Sequence, residues 1–420
     1  MSSQIHPAQK QTFEPQARYA APPKSSINSR KTVKVLASNG SSFTSGMQVS
    51  FHIPPNAWLD CNNSYLSYLI KSTSGELSSN SQCWINRLRV STANSNQTIV
   101  DIQNYNVLHG IMEQITARDT YRNNVGDVLE GTGDVTIHAD TIAADIVNTR
   151  RCSQLIGGIF DNSTFFPVKY CDGLNVDLWI ESTPAVCGVE GGTAVTEVTI
   201  SDISFVCEFV DFDNYYTASF ENRFIGKDKS KPAGIPYSFD TFTSSRTTIN
   251  GTSASKQITE NVRSLKSLFA VQQQSGDVTT TFRQSRLSSV LYKLGASYYP
   301  AQAISATAGA AECMKELMKT LNVSGDVGYS IKCTPAQWSD VGDAADTKDN
   351  NKFVLAQNFE LSNVAQSGKN LNSNPLSIQL TYGSDGSNAK NPATTAIELI
   401  SFCHYDVVLT LRSTGVSIDY

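Results

Sequence analysis

The chain has 420 residues, a net charge of -5 and 40% hydrophobic residues, but only 17% charged ones against a typical ~25%. It is long enough for two domains of about 200 residues, each with its own core. The net acidity argues against a general polyanion binder, and no run approaches the 18 apolar residues of a membrane-spanning helix.

Residues 1–30 are rich in Pro, Gln, Ala and Ser without apolar periodicity, and read as an extended arm. Lys10, Arg18, Lys24 and Arg30 against Glu14 give it a local charge of +3. It lacks the apolar centre of a signal peptide, so folding in the compartment of synthesis is expected. From about residue 31, VKVLA, MQVSFHI, SYLSYLI and WINRLRV are short β-branched and aromatic runs between Ser, Asn and Gly turns, the pattern of strands. NYNVLHGIMEQIT (104–116) then places Leu108, Ile111, Met112 and Ile115 at i, i+3, i+4 and i+7, one buried stripe of a helix.

The same spacing returns 206 residues later as Met314, Leu317, Met318 and Leu321. At that offset Ile85, Arg87 and Leu88 match Leu291, Lys293 and Leu294, and the stretch around Pro300 reads as a proline-broken connection. LNVDLWIES (174–182) resembles LSIQLTYGS (376–384) at an offset of 202, and each half closes on a long strand region. A repeat of about 205 residues is a duplicated domain rather than a solenoid unit. Between the halves, residues 214–237 have the composition of an exposed connector around GKDKSKPAG, with the boundary near residue 225. The expected fold is all-β: two tandem eight-stranded jelly-roll β-sandwiches (31–224 and 225–420) with short inserted helices and an extended arm (1–30).

Catalytic patterns are missing. None of the five histidines is spaced as a metal ligand, His109 falls on the polar side of its helix, and Cys403-His404 alternate to opposite strand faces. No nucleophile elbow, P-loop or dinucleotide fingerprint occurs. GVEGG (188–192) reads as a turn, and the GDV triplets at 126–128, 133–135 and 325–327 read as loop starts. Trp84 and Trp179 lie in strand patterns and are expected in the core rather than on a sugar platform. Nine scattered cysteines without a C-x-x-C pair read as free thiols. No catalytic residue, cofactor or metal is expected.

The passage YKLGASYYPAQAI followed by AAECMKELMKTL, with NVRSLKSLFAVQQQSG (261–276) and a terminal STGVSIDY, resembles the double jelly-roll major capsid proteins of the tectivirus and adenovirus lineage, notably those of polinton-like viruses and virophages. That resemblance implies a structural, non-enzymatic protein of an icosahedral DNA virus, forming homotrimeric capsomers with a pseudo-hexameric outline. Implied partners are neighbouring capsomers, penton and minor or cement proteins, with an internal membrane as a further contact and little direct nucleic-acid binding. The location implied is the virion, after synthesis in the host cytoplasm or nucleus. Lys10, Arg18, Lys24 and Arg30 would then belong to an arm on the inner face. Two alternatives share parts of the pattern. One is an RNA-virus capsid protein with two fused jelly rolls, whose arm is usually far more basic. The other is a carbohydrate-binding β-sandwich or adhesin, which would need exposed aromatics at loop tips or calcium carboxylates.

Overall fold

A computed structural model describes residues 25–116, 121, 124–131, 149–226, 234–324, 333–339, 351–362, 367–372, 374–383, 392, 395–413 and 415–419. The first half contains β1 (Ile27–Leu36), β2 (Ser42–Thr44), β3 (Gln48–Ile53), β4 (Trp58–Thr73), β5 (Ile85–Thr92), β6 (Thr98–Gln103), β7 (Thr149–Ser153), β8 (Leu174–Ile180) and β9 (Glu197–Phe212). They form two antiparallel sheets ordered β1-β9-β4-β7, with β2 beside β9, and β3-β8-β5-β6. Lettering the eight main strands B to I in chain order makes these sheets B-I-D-G and C-H-E-F, which is the jelly roll.

The second half repeats the order. Its strands are β10 (Ile235–Ile249), β11 (Ser253–Ile258), β12 (Leu265–Gln274), β13 (Leu287–Leu294), β14 (Ser297–Ser305), β15 (Leu355–Asn358), β16 (Leu376–Tyr382), β17 (Ile397–Arg412) and β18 (Gly415–Asp419). The sheets run β10-β17-β12-β15, with β18 beside β17, and β11-β16-β13-β14. Each barrel thus has eight jelly-roll strands and one addition.

Alternation explains the shared architecture. In β8, Leu174, Val176, Leu178 and Ile180 point inward between half-buried polar or amphipathic neighbours, and Leu376, Ile378, Leu380 and Tyr382 do the same in β16. Both repeats put a helix of ten or more residues between strands F and G: α1 (Tyr105–Thr116), followed by the short α2 (Val125–Glu130), in the first barrel and, after the linker helix α3 (Asn214–Phe224), α4 (Ala311–Thr320) in the second. A last short helix, α5 (Pro335–Trp338), starts on a capping box between Thr334 and Gln337.

Several expectations need correction. The E strands correspond at an offset of 202, not 206: Thr92 pairs with Leu174 and Leu294 with Leu376, and both E strands are bulged near their starts. The counterparts of Ile85, Arg87 and Leu88 are therefore Leu287, Ser289 and Val290. Pro300 does not break the chain, because β14 is an edge strand and residues 300–303 bulge opposite Leu291 between the pairs Val290–Ile304 and Tyr292–Tyr299.

The arm expected over 1–30 overlaps the first barrel, since Ile27–Arg30 already belong to β1. The connector opens with α3, whose Asp213 cap accepts from the Tyr216 N–H at 2.8 Å. Tyr216 and Phe220 of that helix meet Trp58 at ring distances of 6.2 and 5.6 Å. GDV at 126–128 lies inside α2; the other two GDV triplets lie outside the described residues. Trp84 is fully buried, but Trp179 points outward, with the Arg87 guanidinium 4.9 Å over its ring.

Candidate functional site: the junction between the barrels

The two barrels meet by unlike edges. The first contributes β6, α1 and the segments around residues 157–166 and 186–190; the second contributes β10, the loop after β12 and the segment before β15. Tyr237 Oη donates to the Thr164 carbonyl at 2.8 Å and its ring lies edge-on to Phe166 at 5.0 Å. Asn162 Nδ2 donates to the Ser238 carbonyl at 2.5 Å. Gln114 on α1 donates to the Lys352 carbonyl at 2.8 Å, and the Thr279 N–H donates to the Val186 carbonyl at 2.9 Å.

Two glycines set this approach. A Cβ on Gly110 would stand 3.1 Å from the Thr279 carbonyl oxygen. One on Gly157, at φ +86, would stand 2.8 Å from Ile102 and 3.5 Å from Phe242.

Charge closes both ends. Glu190, in the turn of GVEGG, meets Arg283 at 3.2 Å and accepts from Asn351 at 2.6 Å and Thr281 at 3.1 Å. Arg283 is also held by Asp277 at 2.7 Å. At the other end a cleft of about 350 Å³ runs between residues 161–163 and the outer face of the β10-β17-β12 sheet. In it Lys266 lies 2.7 Å from Asp240 and 3.8 Å from both Glu360 and Asp406.

Burial pulls the Lys266 ammonium down, but the Asp240 hydrogen bond and the surrounding carboxylates outweigh it, and its pKa is raised. Asp406 is raised by burial and by the neighbouring Asp240 carboxyl, and accepts from Ser264 at 2.7 Å. His404, stacked on Phe242 at 4.7 Å, is lowered to about 4 by burial and by Lys266.

Ser267, His404 and Asp240 superficially line up as a triad, with Ser267 Oγ 3.2 Å from Nδ1 and Asp240 3.6 Å from Nε2. The serine is only 4% exposed and Asp240 is committed to Lys266, so no substrate atom could reach the hydroxyl. The arrangement neutralises charge at a packed junction. Among the described residues no group of three or more His, Cys, Asp or Glu side chains is arranged to hold a metal ion.

The residues singled out in the sequence fall as follows. Leu108, Ile111, Ile115 and Leu317 are buried; Met112, Met314 and Leu321 are half-buried against the core, and Met318 is half-buried. Arg30 stands in β1 with its guanidinium 3.0 Å from Asp60, while Lys10, Arg18 and Lys24 lie outside the described residues.

His109 is a correction. It is 5% exposed, packed against Asn80 and the Tyr105 ring within the first barrel. Its Nδ1 is 2.7 Å from Asn80 Oδ1, whose amide nitrogen donates to the Asn106 carbonyl, so Nδ1 carries a proton and donates it, while burial keeps the imidazole neutral. All nine cysteines are thiols, seven of them buried.

No protein-family model matches the chain, and no curated protein matches it in sequence. Solved structures do match in shape. The Faustovirus major capsid protein matches with a TM-score of 0.64 at 8% identity over 95% of this chain and 93% of that one. The PBCV-1 protein VP54 gives 0.63 at 11% identity over 96% and 99%. The mavirus major capsid protein gives 0.54 at 10% identity over 100% and 95%. The chain has the double jelly-roll fold of these capsid proteins. At such low identity the likeness lies in the fold, and it spans both jelly rolls and nearly the whole of each chain.

The sequence reading missed the junction residues of this double jelly roll. Glu190, Asp240, Lys266, Arg283 and Asp406 come from separated strands and loops, brought together by register. The available signal was acidic or basic residues inside otherwise apolar strand runs, as in SFDTF and FCHYD.

Proposed function

We propose that the chain is the structural major capsid protein of an icosahedral DNA virus, acting as a homotrimer of pseudo-hexameric outline. The observation that carries this reading is the pair of B-I-D-G and C-H-E-F jelly rolls within one chain, packed side by side through unlike edges. A junction between unlike edges leaves one edge of each kind free, so copies can add head to tail and close a ring. The halves divide near residue 225, between α3 and β10. The role is architectural: the charged groups at the junction are paired with one another.

Neighbouring capsomers, penton and minor proteins are the partners this reading assigns, with residues 1–24 directed to the inner face and a membrane there as a further contact. The virion is its location. Light scattering on the purified protein is expected to give about three times 45.6 kDa, and negative-stain images to show hexagonal particles or shells. Monomers at micromolar concentration would refute the reading and favour the carbohydrate-binding alternative.

A further inference from the structure

The two barrels share a topology but not a pattern of burial, and the differences concentrate on two edges. In the first barrel β6 buries Ile99, Val100 and Ile102, and α1 is buried around nearly its whole circumference. In the second, β14 buries only Ile304 and exposes Tyr298 to 44%, and α4 exposes Ala311, Glu312, Lys315 and Lys319. The B strands differ in the opposite sense. β10 is largely covered, whereas seven of the ten residues of β1 are exposed.

One pair of positions makes the comparison direct. The I strands β9 and β17 each run sixteen residues, from 197 and 397. Leu36 pairs with Ser204 on β9, and Phe242 pairs with His404 on β17, so Leu36 and Phe242 are equivalent. Phe242 is 6% exposed because the first barrel lies over it; Leu36 is 67% exposed. Leu361, at 71%, is likewise open on the segment that follows strand G of the second barrel, where the first barrel's corresponding segment reaches β10.

We infer that the edge of the second barrel carrying β14, Leu361 and the outer side of α4 docks onto the β1 edge, around Leu36, of a second copy of this chain. The inference rests on the trimer reading and gives it polarity and residues. What selects a second copy as occupant is the internal junction: the same chain already covers the equivalent edge once, using the equivalent elements. Repeating that contact between chains makes six like steps from three copies, a heterologous interface that closes. The contact needs no strand pairing, because β6 and β10 belong to different sheets at the internal junction. Lys31 and Lys34 can therefore stay on the β1 edge as guards against promiscuous pairing.

The test uses the full chain with Leu36→Asp and, separately, Tyr298→Asp combined with Leu361→Asp. All three side chains are exposed within the chain, so melting curves of the separated subunits and circular dichroism are expected to match wild type. Sedimentation velocity is expected to show trimers for wild type and monomers for each variant, the dissociation constant rising at least 100-fold. Mixing the two variants at tens of micromolar is the decisive step. Each retains one intact edge, so the mixture is expected to form one-to-one dimers that cannot close. Variants that remain trimeric, or a mixture that yields no dimer, would overturn the interface while leaving a trimeric wild type standing. A monomeric wild type would overturn both readings. If deleting residues 1–24 releases monomers while Leu36→Asp does not, the arm covers this edge and the inference fails.

Discussion

Replacing His109 by glutamine probes the covered face of α1 through its pH dependence. The imidazole is lowered to about 3 by burial, against an ordinary value of 6.5. A basic group lowered in the native state stabilises nothing by charging: the unfolded chain takes up its proton first, so stability falls as pH drops below about 6.5 and continues to fall until about 3. At pH 5.0 the unfolded imidazole is almost fully protonated and the native one almost fully neutral, a loss of about 2 kcal/mol relative to pH 7.5. For a barrel of this size that is about 4–8 °C in Tm.

A glutamine side chain at this position could keep a donor toward Asn80 but would not titrate. His109→Gln is therefore expected to start lower at pH 7.5, by about 1–2 kcal/mol for imperfect packing, and to lose about 2 kcal/mol less than wild type on going to pH 5.0. The comparison is between variant and wild type at each pH, since other groups titrate in opposite directions. His404 is lowered to about 4 by burial and Lys266, and Glu130 is raised to about 7, chiefly by burial. Differential scanning fluorimetry across pH 5.0–7.5 measures the difference. Parallel curves would mean that His109 is solvated or charged in the native protein.

Leu317 is fully buried, so Leu317→Asp is expected to cost several kcal/mol and to abolish soluble trimer; an unchanged Tm would refute the burial of that stripe. Arg283→Ala strips the partner from Asp277, whose side chain is 8% exposed, and from Glu190, and is expected to cost about 2–4 kcal/mol by denaturant titration. Arg150→Ala, at the exposed pair with Asp202, is expected to stay within about 1 kcal/mol; equal effects from both would show that the junction pair is no better buried than a surface one. Deleting residues 1–24 is expected to leave trimers intact and to impair shell formation, read by sedimentation and electron microscopy. Shells that form normally but without genome would instead assign Lys10, Arg18 and Lys24 to nucleic acid.

Strands that alternate strictly were legible in the sequence, and so was the duplication, because β8 and β16 must each present one apolar face to a core. The F–G helices were legible for the same reason, through a stripe of period 3.6. Legibility ended where a neighbour from another part of the chain decides the environment. His109 looks polar on a helical projection and is buried against Asn80, which comes from the segment ahead of β5. Pro300 looks like a breaker and is tolerated because β14 has a free edge. Helix α3 carried a visible Tyr216, Phe220 and Phe224 spacing, masked by the charged residues that follow it. The Lys266 cluster shows locally only as single charges inside apolar strand runs; Asp240 and Asp406 face one another through the pairing of β10 with β17, 166 residues apart in sequence.

The contrast between the two junctions follows from how each is formed. The internal one joins barrels already tethered by a short connector, so its contacts form at high effective concentration and can include groups that are costly to desolvate. That is where Lys266, Asp240, Asp406 and the Arg283 triad with Glu190 and Asp277 are found. The junction inferred between chains must form by collision, from surfaces that first have to remain soluble alone. Its free edges accordingly show single exposed apolar side chains, Leu36, Tyr298 and Leu361, and Leu36 shares its strand with exposed Lys31 and Lys34. On this inference one interface geometry serves twice, and the difference between a tethered and an encountered partner accounts for why its two uses carry different residues.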